Sequence, residues 1–203
     1  KHFAYAVGEA AAAYNSKTHD HHPVKFYTRH ILLIRPKIVV ILDRIETEKD
    51  VRKEWGSFLY AVLWKMKKHP ALKAMEAPPA PEGFSGANWF STGYSGSIRK
   101  VDFLLAPVLP ENAVVKQHVS RAGRRLQINP ALEREKELFL NVFWLEKNNP
   151  PAIGYKTSGN TADLSLKTAD QEITLHLDGG SPDAGSIRIT ESGKKVYDGK
   201  LTD

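Results

Sequence analysis

Residues 24–46, with the sequence VKFYTRHILLIRPKIVVILDRIE, constrain the fold more than any other stretch of this chain. Two short apolar runs, 31–34 and 38–42, are rich in β-branched residues, which favour buried strands over helices. Between them, Pro36 has a fixed φ and restricts Arg35 to extended conformations, so a tight turn is predicted. The stretch is therefore predicted to form an antiparallel hairpin, with its polar residues near the open ends of the two strands. So apolar a hairpin needs a second layer to cover it.

Composition narrows the class of protein. The chain has 203 residues, 41% of them hydrophobic, which is enough for one large globular domain. No apolar run is long enough to span a membrane. The absence of cysteine excludes disulfides and thiol chemistry, and is compatible with the cytosol or the bacterial periplasm. The chain begins at Lys1 without Met or a signal-peptide pattern, so its N-terminus does not indicate a compartment.

Charge is unevenly distributed along the chain. The net charge is +6, but residues 159–203 carry −3, which leaves +9 on residues 1–158. A basic body indicates a polyanionic partner such as an acidic polysaccharide, a nucleic acid or an anionic lipid. The alternative is an ordinary lysine-rich surface. No phosphate-binding loop and no nucleic-acid motif is present, so neither nucleic acid nor membrane is predicted as a partner.

The rest of the chain consists of short strand patterns separated by turn signals. An alanine run at 10–13 is too short for a stable helix and is predicted to be irregular. Residues 77–86 are predicted to be a loop. Strands are predicted at 3–7, 54–65, 88–91, 97–105, 113–119, 125–128, 138–145, 162–167, 172–177, 186–190 and 195–197. A helix is the alternative at 54–65, because its apolar residues also follow helical spacing. The pattern predicts an all-β fold of two packed antiparallel sheets with little helix. We expect a single β-sandwich domain over 1–203, with a main body at 1–150 and closing strands at 151–203.

The hairpin resembles a segment of the heparinase II/III-like polysaccharide lyases. Their β-sandwich region carries the run aromatic–x–Arg–x–apolar–x–x–x–Arg–Pro–x–x–Val–Val–x–x–Asp–Arg. Here Tyr27 and Arg29 open the run, residues 35–36 form its turn, 39–40 supply the valines, and 43–44 supply Asp-Arg. The resemblance implies the C-terminal β-sandwich of a lyase for uronate-containing polysaccharide, in the bacterial periplasm or secreted. One departure is that residues 54–65 lack the histidine usual in the family's next strand.

The same resemblance implies that the catalytic groups lie elsewhere. Uronate lyases abstract the proton α to a carboxylate with a Tyr or His base and neutralise that carboxylate. In the family these groups belong to a helical toroid that precedes the sandwich, and a zinc site lies early in the β region. We therefore expect no catalytic residue in this chain, and an upstream toroid of the same parent protein as its partner.

One histidine-rich cluster has the residue types of a metal site. In an extended segment, His19 and His21 point to one side and Asp20 to the other. Two imidazoles and a carboxylate would bind zinc if another element supplied further ligands, but nothing at a fixed spacing supplies them. The alternative is a solvated polar loop, and the cluster does not match the family's zinc motif. No other cofactor is predicted.

Two arginines and two aromatic residues are the candidates for substrate binding. Arg29 and Arg44 have the guanidinium geometry that binds sugar carboxylates, although an ion pair between Arg29 and Asp43 is an equally good interpretation. Trp89 and Tyr94 lie in a Gly/Ser-rich stretch and are predicted to be exposed for sugar stacking, whereas most aromatics at strand spacing belong to a core. Two other functions remain open: a stand-alone carbohydrate-binding module, and a structural or interaction domain without a ligand.

Overall fold

The computed structural model describes residues 2–15, 22–49, 51, 53, 55–59, 73–75, 78–91, 104–120, 123–146, 148–181 and 185–203. Its elements, in chain order, are β1 (Phe3–Glu9), α1 (Ala11–Tyr14), β2 (Val24–Ile34), β3 (Ile38–Thr47), β4 (Trp55–Leu59), β5 (Lys73–Met75), β6 (Ser85–Gly86), β7 (Trp89–Ser91), β8 (Leu104–Leu109), β9 (Val114–Ser120), β10 (Gly123–Asn129), β11 (Lys136–Trp144), β12 (Ala152–Ser158), β13 (Thr161–Lys167), β14 (Gln171–Asp178), β15 (Ser186–Glu191) and β16 (Lys194–Lys200).

These strands form three antiparallel sheets. A seven-stranded sheet has the order β1-β2-β3-β11-β8-β7-β5, and we call it the central sheet. A six-stranded sheet, β16-β15-β14-β13-β12-β6, is the C-terminal sheet, and β4-β10-β9 form the small sheet. The predicted hairpin is β2 and β3, joined by a turn at residues 35–37. The prediction of an all-β fold with packed antiparallel sheets is confirmed.

The central and C-terminal sheets pack face to face around the larger core. Because successive side chains of a strand point to opposite faces, alternate residues of β3 and β11 belong to this core. Val40 and Val142 are paired in register and both are buried in it. The facing layer supplies Leu164 and Ile173, and Leu201 closes the core after β16. One core therefore includes residues from both the 1–150 and the 151–203 parts of the chain.

The other face of the central sheet carries a second core. Phe139 and Phe143 are the intervening residues of β11, and they cluster with Ile128 of the small sheet. Val39 and Ile41 of β3 pack against this cluster from the hairpin. The middle of the central sheet is thus covered on both faces, which explains why the runs in β3 and β11 are continuously apolar rather than alternating.

Several boundaries differ from those predicted by the sequence. The alanine run forms the one-turn helix α1 instead of an irregular segment, anchored where the backbone amide of Ala11 donates to Glu9 Oε1 at 2.6 Å. In the described part of the chain, no helix has the length and apolar character needed to cross a membrane. The predicted loop at 77–86 contains the two-residue strand β6. Strand β12 was not predicted, because it follows Pro150 and Pro151 directly and Gly154 interrupts its apolar pattern.

Strand β8 runs further than predicted because it passes through a proline. The sequence placed the end of this strand at residue 105, whereas β8 continues to Leu109 through Pro107. Among the described residues, strand β7 pairs with only the first two residues of β8, and the β8–β11 register shifts between Leu140 and Asn141, next to Pro107. An edge position beside an irregularity is where a strand tolerates a residue without an N–H donor.

The buried hairpin gives a stability prediction. Val40 has 1% of its surface exposed, so Val40→Asp places an unpaired carboxylate between two sheets. We expect the free energy of unfolding to fall by about 4 kcal/mol or more, as measured by urea denaturation. Val114→Asp is the control, since Val114 is 48% exposed on a strand and should change stability by less than about 1 kcal/mol. Equal losses from the two substitutions would contradict the assigned facing of β3.

Candidate functional site

The polar residues of the hairpin lie on opposite faces of the central sheet. Arg29 pairs in register with Asp43 on the face towards the small sheet, and Thr28 pairs with Arg44 on the face towards the C-terminal sheet. Arg29 and Asp43 lie in the middle of their strands, since β2 begins at Val24 and β3 ends only at Thr47, whereas Arg44 lies nearer the end of β3. The expectation that Arg29, His30 and Asp43 lie near the open end of the hairpin is therefore wrong.

Arg29 and Asp43 form a bidentate ion pair. Arg29 Nε and Nη2 donate to the two carboxylate oxygens of Asp43 at 2.7 and 2.6 Å. The Asp43 side chain is fully buried, whereas that of Arg29 is 38% exposed. Hydrogen bonding to Asp43 raises the pKa of Arg29, and burial raises the pKa of the neighbouring Tyr27. The ion-pair interpretation of Arg29 is confirmed, and two of its donors are already used.

Arg44 lies instead in the wall of a cleft of about 360 Å³. The cleft opens where four segments meet: the end of β3, the residues after β8, the loop before β11, and the turn between β12 and β13. Its lining consists of Arg44, Leu109, Pro110, Glu111, Asn112, Pro130, Ala131, Leu132, Arg134, Lys136, Glu137, Leu138, Thr157, Gly159 and Asn160. This volume lies in the range of natural small-molecule sites.

The C-terminal sheet approaches Arg44 closely. A side chain on Gly179 would place its Cβ 2.9 Å from Arg44 Cβ, so only glycine fits at this position. The same turn is tied to the hairpin by Thr28 Oγ1, which donates to the Gly179 carbonyl at 2.8 Å. It is also tied to the wall of the cleft, because the Gly179 amide donates to the Asn160 carbonyl at 3.0 Å. These contacts fix the position of Arg44.

The Arg44 guanidinium is held but not fully hydrogen bonded. Its Cζ lies 4.1 Å from the centroid of the Phe26 ring, in a cation–π contact. Nη2 donates to Glu46 Oε2 at 3.3 Å, and the buried Nε has no hydrogen-bond partner. Lys136 pairs in register with Glu46, and its Nζ lies 3.5 Å from the same Oε2. One carboxylate oxygen is thus shared by two cations at long distances.

Buried groups hold the loop before β11. Lys53 is buried and its Nζ donates to the carbonyls of Val51 and Arg134, which fixes the backbone that carries the Arg134 side chain. Burial raises the pKa of Glu137, which favours its neutral form. On the opposite side of the cleft, Tyr155 Oη donates to Glu111 Oε1 at 3.2 Å, and burial together with Glu111 raises the pKa of Tyr155 to about 12.

A tyrosine and a histidine also meet inside the fold. The Tyr5 hydroxyl lies 2.7 Å from His30 Nδ1, on the face of the central sheet that meets the C-terminal sheet. His30 is 2% exposed, and its buried Nε2 has no hydrogen-bond partner. Burial lowers the pKa of His30, against an opposing effect of the Asp43 and Asp178 carboxylates. A polymer substrate cannot reach this imidazole, so the pair has a structural role.

The aromatic prediction needs correction. Trp89 has 0% of its surface exposed, and its indole Nε1 donates to the Pro151 carbonyl at 3.0 Å. It belongs to the core between the central and C-terminal sheets, so it cannot stack on a sugar. The Gly/Ser-rich surroundings predicted an exposed Trp89 ring. Instead, β7 joins the central sheet by pairing with β8, and the ring lies in the core. Tyr94 lies outside the described residues.

The predicted metal cluster is not tested. His19, Asp20 and His21 lie outside the described residues. Among the residues that the structure describes, no group of three or more His, Asp or Glu side chains is arranged to hold a metal ion.

Of the predicted substrate-binding residues that the structure describes, which are Arg29, Arg44 and Trp89, only Arg44 lies in the cleft. The sequence did not single out Arg134, Lys136 or Glu46 as site residues. The alternating pattern of β11 places Lys136 on the face of Leu138, but only the β3–β11 register brings it beside Glu46. Comparison with protein-family models and with curated proteins finds no match to this chain.

The Arg29–Asp43 pair gives a second prediction. Arg29→Met leaves a buried carboxylate without its partner, and we expect a loss of about 3 kcal/mol in the free energy of unfolding. Removing both charges, in Arg29→Met/Asp43→Leu, should restore most of that loss because the buried charge is then gone. Arg188→Met, which breaks an exposed pair with Asp198, is the control and should cost less than about 1 kcal/mol. A double variant less stable than Arg29→Met would contradict this explanation.

His30 gives a pH prediction. Its pKa is lowered in the folded chain, so the unfolded chain binds a proton first as the pH falls. The contribution of neutral His30 to the free energy of unfolding is fully present above the ordinary histidine pKa of about 6.5. Below that pH it declines, by up to about 1.4 kcal/mol at pH 5.5. The free energy of unfolding, measured by urea denaturation, should differ less between pH 7.5 and pH 5.5 for His30→Gln than for the parent. The same substitution at exposed His2 is the control, and an equal effect of the two substitutions on the pH dependence would exclude His30 as its source.

Proposed function

We propose that this chain is the C-terminal β-sandwich portion of a bacterial, periplasmic or secreted polysaccharide lyase that acts on uronate-containing polysaccharide. The catalytic groups belong to a helical toroid of the same parent protein. The observation that carries the proposal is the cleft, whose lining includes Arg44, Arg134 and Lys136 against the carboxylates of Glu111 and Glu137. The three cations of the lining outnumber its two carboxylates, so the cleft favours an anionic ligand.

The character of the lining fits a saccharide. A uronate ring presents a carboxylate, several hydroxyls and apolar C–H faces. The cleft offers cations for the carboxylate and the side chains of Asn112 and Asn160 as hydrogen-bonding partners for the hydroxyls. Exposed Leu132 offers an apolar contact for the C–H faces. Arg44 also occupies the last position of the hairpin run that resembles the run of the lyase family.

An apolar surface of the central sheet supports contact with another part of the parent protein. Ala4 and Ala6 of β1 are exposed on the same face as Ile31 and Leu33 of β2, with which they pair in register. Ile31 is among the large hydrophobic residues left exposed. An apolar surface on a sheet is a common feature of interfaces. The burial of Trp89 removes part of the aromatic surface that a stand-alone carbohydrate-binding module would need.

The proposal predicts binding without elimination. β-Elimination needs an accessible base and a group that neutralises the uronate, whereas the imidazole of the described Tyr5–His30 pair is buried. Incubated with alginate, heparan sulfate or hyaluronan, the chain should give no sustained rise in the ultraviolet absorbance of unsaturated uronate. It should still bind these polymers, more weakly as salt increases.

Two results would contradict this proposal. One is sustained turnover that is lost when a tyrosine or histidine of this chain is substituted, because the catalytic site would then lie here. The other is equal retention by alginate and by a neutral polysaccharide such as dextran in affinity electrophoresis, because the cleft would then have no preference for acidic ligands.

A further inference from the structure

We infer that Arg44 and Lys136 together bind the carboxylate of an acidic saccharide in the cleft, and that Glu46 competes with this ligand for the two cations. The inference deepens the proposed function, on which it relies for the class of ligand, and assigns the site and its internal competitor. It starts from the β3–β11 register, which brings the three side chains together at one end of the central sheet.

The two cations are already spaced for a carboxylate. Glu46 Oε2 lies 3.3 Å from Arg44 Nη2 and 3.5 Å from Lys136 Nζ, so a single carboxylate group spans both. Both distances are at or beyond the outer limit of a hydrogen bond, where the interaction is weak. A ligand carboxylate that approaches more closely can therefore replace contacts that contribute little.

Arg44 is prepared for this role by its surroundings. Its side chain is largely buried, its guanidinium lies on the Phe26 ring, and its Cβ and Cδ lie close to Gly179, so little conformational entropy remains to be lost on binding. Its Nε lacks a hydrogen-bond partner. A buried charged group with an unused donor is costly, and a second acceptor nearby would relieve that cost.

Lys136 differs from Arg44 in ways that are useful for a test. Its side chain is 63% exposed, so it can follow a ligand that enters from solvent, and replacing it should not disturb folding. It lies in the cleft lining with Arg44, whereas Glu46 itself does not. Glu46 therefore contacts both cations from beside the cleft without filling the space that a sugar ring would occupy.

The test is isothermal titration calorimetry of the chain with an alginate trisaccharide at low salt. Lys136→Gln and Arg44→Gln should each weaken binding by about fivefold or more, because each removes one of the two cations that contact the ligand carboxylate. Glu46→Gln should strengthen binding by about threefold or more, because the competitor is gone while its size is kept. The carboxyl-reduced trisaccharide has the same rings without charge. Its affinity for each variant should be no higher than its affinity for the parent chain.

Two further variants separate a local effect from net charge. Lys195→Gln and Glu191→Gln make the same charge changes at exposed positions of the C-terminal sheet and should leave affinity within about twofold of the parent. If Glu46→Gln strengthens binding no more than Glu191→Gln does, the competitor role of Glu46 is excluded. Circular dichroism melting shows whether each variant is folded. If Arg44→Gln does not fold, Lys136→Gln still tests the site.

The outcomes also separate this inference from the proposed function. One outcome is that the chain binds the acidic but not the reduced trisaccharide, and that Lys136→Gln and Glu46→Gln leave this binding unchanged. That outcome contradicts the assigned site but is consistent with the proposed function. Equal binding of the acidic and reduced sugars, or binding of neither, overturns both. A carboxyl-reduced heparin oligosaccharide keeps its sulfates, and if it bound more tightly than alginate with the same variant pattern it would assign the two cations to sulfate and contradict the carboxylate assignment.

Discussion

The rest of the structure depends on the pairing of β3 with β11, which is buried from both sides. Leu42 and Leu140 face the C-terminal sheet from paired positions, while Ile41 and Phe143 face the small sheet. Because both faces of these strands contribute to a core in their middle part, neither strand can shift by one position without exchanging two different sets of contacts. The register is therefore strongly specified. It fixes the position along the strand and the face of the sheet for every polar residue on the two strands.

This constraint separates the polar groups by role. Where the layers are in contact, Asp43 is fully buried and needs the bidentate Arg29 to compensate its charge. Asn141 is buried on β11 with both of its side-chain polar atoms unpaired. Where the layers end, Arg44 and Lys136 meet the cleft and solvent. The same pair of strands thus supplies a structural ion pair in its middle and a candidate binding site at its end.

The interior Tyr5–His30 pair shows why residue types alone mislead about chemistry. A tyrosine beside a histidine has the composition of a proton-transfer site, but this imidazole is 2% exposed. Burial lowers its pKa and couples it to stability rather than to a substrate. Accessibility, which a sequence does not display, separates the two roles.

The amino-acid sequence determined the strands wherever side-chain periodicity was strong. The hairpin, β11 and the alternating strands β13–β15 were predicted to within a few residues, because period-two alternation follows from backbone geometry. Local pattern also suggested the Arg29–Asp43 pair, since both residues lie on neighbouring strands of one hairpin. It failed at β12 and at the end of β8, where Pro and Gly weaken the pattern but pairing with neighbours compensates.

Only the tertiary structure decided which side chains meet across long distances in sequence. Trp89 carries no sequence signal for complete burial, and Lys136 carries none for proximity to Glu46. The first depends on β7 joining the central sheet, and the second on the register between β3 and β11. Burial and proximity are properties of packed layers, whereas the sequence specifies each strand and its two faces but not what will cover them.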